Sequence, residues 1–107
     1  MNDYLVGNVS RVIVLPIDGA NCQLKITFPT REYSRGTNAT CNHNAKYMVL
    51  SQALACNSPV LDLYHKTALT ALTLGYRLYV RTQSSGGWRN IQVGGGYFGI
   101  EKGPYVP

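Results

Sequence analysis

At 107 residues the chain is one domain's worth, long enough for a single hydrophobic core and too short for a second. Hydrophobic residues at 45% and charged ones at 14% exclude a disordered chain, and no stretch approaches the ~20 apolar residues of a membrane-spanning helix. Ten Lys and Arg against five Asp and Glu leave +5, scattered without a run of like charges, which reads as plain solubility or as a preference for an anionic partner.

Residues 5–15, LVGNVSRVIVL, are rich in β-branched side chains and predict a long first strand that closes at Pro16. Its alternation slips near Ser10–Arg11, as at a bulge. IDGAN follows as a turn, with Asp18-Gly19 its strongest signal. The second strand alternates cleanly, Cys22, Leu24, Ile26 and Phe28 facing one way and Gln23, Lys25 and Thr27 the other. Residues 29–45 hold few apolar groups and many turn formers, and predict a long loop. KYMVLSQ, 46–52, is the third strand.

The one helix runs from Pro59 to Leu74. Ser58 is placed to cap it, Pro59 suits its first position because no N–H is needed there, and Gly75 suits the left-handed stop. Val60, Leu61, Tyr64, Ala68, Ala71 and Leu72 form a broad apolar face opposite Asp62, Lys66, Thr70 and Thr73. Leu63 and Leu69 fall outside both sets, where a monomer places polar residues, and point to an oligomer interface. The fourth strand, 76–82, turns Leu78 and Val80 inward and Arg77, Tyr79 and Arg81 outward. A last strand region from Trp88 to Ile100 is interrupted by Gly94-Gly95-Gly96.

The order is therefore β-β-β-α-β-β. One helix between the third and fourth of five strands predicts a mainly β, OB-type five-stranded barrel, with residues 1–107 as a single domain.

Ser58-Pro59, a helix ending at Leu74-Gly75, the strand YRLYVRT and the cysteine-bearing NCQLKI together resemble the B subunits of subtilase-cytotoxin and pertussis-like toxins. They also resemble short secreted bacterial proteins of that fold, over roughly residues 6 to 100. The resemblance implies a ring, favouring a pentamer, that binds a cell-surface glycan beside a catalytic A-type subunit, with Leu63 and Leu69 at subunit contacts. Two departures stand out. Val6 precedes Gly7 where the toxin subunits place a sialic-acid-holding serine, so that site does not carry over. Ser85 lies near the position where the secreted group has the cysteine that would pair with Cys41.

Three cysteines allow one internal disulfide. Cys22 begins the second strand and Cys56 follows the third, which in an antiparallel pair puts them at the same end. Cys22–Cys56 is the preferred bridge; three reduced, buried cysteines in a cytosolic protein are the alternative. MNDYLVGN carries no basic segment leading into an apolar one. A composition poor in Lys and Glu and rich in Tyr, Asn, Thr, Ser and Gly nonetheless leads to the expectation of a secreted or periplasmic protein.

Catalytic machinery is sparse. No G-x-S-x-G, P-loop or paired acid motif is present, and His65 reads as a surface histidine. Cys41-Asn42-His43 lacks the spacing of a metal site, so neither metal nor cofactor is expected. Asn8-Val9-Ser10 and Asn38-Ala39-Thr40 match glycosylation acceptors but would stand idle in a bacterial protein. What remains is binding. Sugars present apolar C–H faces and polar edges, which aromatic rings, amides and hydroxyls match. The 29–45 segment offers Arg31, Tyr33, Ser34 and Arg35, and Trp88 and Tyr97 add aromatic surface, although Trp88 is also suited to closing the barrel. A glycan-binding module is the leading expectation. The alternatives are an OB-fold single-stranded nucleic-acid binder using Arg77, Tyr79, Arg81 and Lys25, and a protein-interaction or inhibitor module with no small ligand.

Overall fold

The computed structural model describes residues 3–35, 47–82, 90–94 and 98–102. Along them run β1 (Asp3–Asn8), β2 (Arg11–Pro16), β3 (Asn21–Thr27), β4 (Thr30–Arg35), β5 (Tyr47–Leu50), β6 (Leu54–Ala55), α1 (Pro59–Leu74), β7 (Arg77–Thr82), β8 (Asn90–Ile91) and β9 (Phe98–Glu101). The fold is mainly β with one helix.

The long first strand is present but bent, breaking at Val9–Ser10 into β1 and β2 where the alternation slips. Its partner bends at the same level. β2 pairs antiparallel with β3 from Pro16–Cys22 to Arg11–Thr27, and β1 continues against β4 from Asn8–Thr30 without losing step. Ser10 N donates to Thr27 O across the bend at 3.0 Å. Residues 30–35, read from sequence as the start of a loop, are therefore the second half of a bent hairpin arm. TREYSR has no apolar alternation to announce a strand; the ladder to β1 supplies what its side chains do not.

At the tip, Ile17 N donates to Asn21 O, and the Asp18 carboxylate accepts from the N–H groups of Ala20 and Asn21 at 2.7 and 2.8 Å. These two bonds hold the carboxyl below its ordinary pKa. The acid, rather than a left-handed glycine, shapes this turn, since Gly19 does not take a positive φ.

Hydrogen-bonded neighbours follow the path β2-β3-β5-β8-β7-β1-β4, with β6 also on β3 and β9 also on β7. The β5–β8 pair is parallel and the others antiparallel. Among the described residues nine short strands stand where five are expected: the first and last of the five are each divided in two, and β4 and β6 form in stretches not predicted as strands.

One core fills the interior. Leu24, Ile26 and Phe28 from the first hairpin meet Met48, Leu50, Leu78, Val80 and Ile91, while α1 contributes Leu61, Ala68 and Ala71. The two alanines are fully buried, and their small side chains let the helix axis approach the strands closely. Tyr64 and Leu72 pack at the margin, but Val60, expected on the buried face, is 45% exposed at the first turn. The caps are those predicted: Ser58 Oγ accepts from Val60 N and Leu61 N, and Gly75, at φ 71°, donates its N–H to Ala71 O. Tyr64 also reaches outward, its ring 4.7 Å from that of Phe98 and its hydroxyl accepting from Gly94 N at 3.1 Å.

Cys22 and Cys56 form the disulfide, tying the start of β3 to the turn before α1. β6 brings them together, pairing Leu54 with Cys22 itself. Among the described residues, no helix is long and apolar enough to cross a membrane.

Candidate binding surface

Because Leu24, Ile26, Met48, Leu50 and Ile91 turn into the core, their chain neighbours form the opposite face of β2, β3, β5 and β8. The register lays that face out in rows. Ile13, Lys25, Val49 and Asn90 lie side by side across four strands, and Arg11, Thr27 and Tyr47 form the next row. Lys25 Nζ sits 4.3 Å from the centroid of the Tyr47 ring, held by the ring's negative face. Arg11 is exposed, while Ile13, Lys25, Thr27, Tyr47, Val49 and Asn90 are all half-buried. The result is a mixed surface in which Lys25 separates two aliphatic positions, Ile13 and Val49, with Asn90 at the end of their row and Arg11, Thr27 and Tyr47 alongside.

Gln23 closes one end of this face. β3 pairs with β5 as far as Lys25–Val49 and then with β6 at Cys22–Leu54, so Leu50 would face β3 with no backbone partner. The Gln23 side chain takes that place, its Nε2 donating to Leu50 O and its Oε1 accepting from Leu50 N, both at 3.1 Å. Gln23→Leu keeps the bulk but strands both groups, and is expected to cost about 1–3 kcal/mol. Urea unfolding should show a lower midpoint with an unchanged slope; an unshifted midpoint would refute the assignment.

The residues predicted from sequence are distributed differently. Arg31, Tyr33, Ser34 and Arg35 lie on β4 rather than in a loop, with Arg31 opposite Gly7, Tyr33 opposite Leu5 and Arg35 opposite Tyr4. The register shifts between Tyr4 and Leu5, which makes Ser34 the extra residue of a bulge. β4 follows β3 along one bent arm, so these positions continue the strand that carries Lys25 and Thr27. Trp88, Tyr97, Cys41 and His43 lie outside the described residues. Leu63 and Leu69 are exposed on α1 as predicted. At about 100° per residue they stand roughly 120° apart around the helix and do not share one patch.

Arg77 departs from expectation. It is only 7% exposed, and its Nη2 lies 3.4 Å from Glu101 Oε2. β9 runs along β7 and sets Glu101 directly opposite Arg77, which covers a side chain that strand alternation alone would point to solvent. Tyr79 and Arg81 are half-buried. Among the described residues, no three His, Cys, Asp or Glu side chains come together as a metal site would require.

Sequence reasoning placed Lys25 outward but missed Tyr47, Val49 and Asn90 as its neighbours. The alternation of Tyr47-Met48-Val49-Leu50 held the signal for the face; only the register held the signal for the rows. Comparison with protein-family models, curated proteins and solved structures finds no match.

Proposed function

We propose that this chain is a secreted or periplasmic, non-catalytic binding module of OB type that takes a glycan on the outer face of β2, β3 and β5, extended along β4. The observation that carries the reading is the row structure of that face, where the aliphatic positions Ile13 and Val49 flank Lys25 and are joined by Tyr47, Thr27 and Asn90. A pyranose has the matching anatomy, an apolar C–H face with hydroxyls around its edge. The OB reading is supported by the bent first hairpin, the parallel β5–β8 pair and the helix placed between β6 and β7. An oxidising compartment is supported by the disulfide.

The single-stranded nucleic-acid alternative loses ground because Arg77, one of the cations it would use, is buried against Glu101. Screening the intact protein on a glycan array, beside oligonucleotides titrated from about 50 to 200 mM salt, separates the readings. Glycan binding should barely change with salt and should weaken about tenfold in Tyr47→Ala, the loss of one aromatic contact. Oligonucleotide affinity that collapses with salt would transfer the face to the rival, and binding that ignores Tyr47 would remove the site.

A further inference from the structure

We infer that the glycan taken on this face carries a sulfate or phosphate ester, which Arg11, Thr27 and Lys25 hold by its three terminal oxygens. The inference rests on the glycan reading above and names the substituent that the face selects.

Thr27 stands at the centre of the arrangement. The register sets Arg11 directly opposite it on β2 and Tyr47 directly opposite it on β5, each about 5 Å away, one strand spacing. Lys25 is the next outward position along β3, about 7 Å from Thr27. Its side chain meets that of Tyr47 across the diagonal, with Nζ 4.3 Å from the ring centroid, and this contact draws the ammonium toward the row of Arg11 and Thr27. A guanidinium, a hydroxyl and an ammonium therefore stand around one spot of the sheet.

Apart from the Lys25 contact with the Tyr47 ring, none of the three side chains has a hydrogen-bond or ion-pair partner among the described residues. The acids whose side chains are described are all engaged elsewhere, Asp18 by the N–H groups of its own turn, Asp62 by Lys66 and Glu101 by Arg77. Arg11 and Lys25 are thus diagonal neighbours of like charge, about 7–8 Å apart at the backbone, and an anion between them relieves the repulsion.

An ester fits this donor set by number and shape. Sulfate and phosphate monoesters present three terminal oxygens as a tripod, one for each donor. A sugar carboxylate has two coplanar oxygens, which suit the fork of one arginine better than three donors on two strands. The phosphodiester of an oligonucleotide also has only two, and leaves one donor unmatched. A single ester brings no condensed counterion layer, so its binding should fall only about twofold between 50 and 200 mM salt.

A glycan array that carries each sugar chain in neutral, 6-sulfated, 6-phosphorylated and sialylated form, probed with the intact protein, tests this. An esterified form should bind about tenfold more tightly than its neutral parent, and which ester gains identifies the source of the anion. Arg11→Gln and Lys25→Gln should each shrink that ratio to about threefold or less, with a thermal melt that checks their folding. Neutral chains bound as tightly as their esters, and weakened by Tyr47→Ala, would overturn the ester assignment while leaving the glycan reading in place. A preference for sialylated over esterified chains, or a ratio indifferent to both variants, would overturn it as well. If no chain of any form binds, the glycan reading falls and this inference falls with it.

Discussion

Replacing both Cys22 and Cys56 by serine is expected to lower the unfolding free energy by about 4 kcal/mol, a drop of about 15–20 °C in melting temperature. The bridge spans a sequence separation of 34 residues, a long loop whose closure is otherwise left to the unfolded chain. Denying that freedom to the unfolded state accounts for most of the effect in the chain-entropy picture. The native side contributes as well, since Cys22 is buried beside Leu24 and a serine there would bring a hydroxyl into the core margin. The two contributions separate by experiment. Reduction of the wild-type protein removes the constraint while leaving the sulfur atoms, and should reproduce most of the loss. A reduced protein that melts within a few degrees of the oxidised one would show that β6 and the 51–58 segment hold their place without the bridge. The intact mass offers a prior check, because the bridge lowers it by two hydrogens.

The features legible in the sequence are those whose causes are local. Ser58, Pro59 and Gly75 act within a turn of themselves, and α1 begins and ends where they require. The alternation of Cys22 to Phe28 belongs to one strand and transfers directly to burial. The disulfide was legible for a related reason: it needed only that two neighbouring strands run antiparallel. What escaped detection depends on pairing across long stretches of chain. TREYSR forms a strand because β1 offers it a ladder, and a polar run carries no mark of that. Arg77 is buried because Glu101 arrives 24 residues later on β9. Alternation predicts which way a side chain leaves its own strand, not what the next strand lays over it.

The same division holds for the binding face. Lys25, Thr27, Tyr47 and Val49 were each readable as outward positions, but a site is made by rows, and rows are set by register. Gln23 is the sharpest case. A glutamine on the solvent side of a strand looks interchangeable with any polar residue, yet here its amide stands in for a missing stretch of β ladder between β5 and β6. Its role follows from where β3 changes partner, a fact outside the reach of any pattern within β3 itself.

Phe28→Ala should be the most damaging single substitution in the bent hairpin, at about 3–5 kcal/mol. Phe28 is the largest of the fully buried side chains, yet it belongs to neither β3 nor β4. It stands at the corner between them, facing the corresponding break in the first arm, where Val9 is also buried in the core cluster. Each arm thus drives an apolar side chain inward where it bends, and the bend is stabilised by what those side chains fill. Truncation to alanine removes a ring from a packed site and leaves a cavity, while Phe28→Leu retains most of the volume and should cost much less. Hydrogen exchange can show whether the corner organises the hairpin. With the corner emptied, the β1–β4 ladder should lose protection while β2–β3, anchored through Cys22, keeps its own. Uniform loss across both ladders would mean that Phe28 serves the core as a whole. A cost near 1 kcal/mol would mean that the ladder, with the Ser10–Thr27 bond, sets the bend without it.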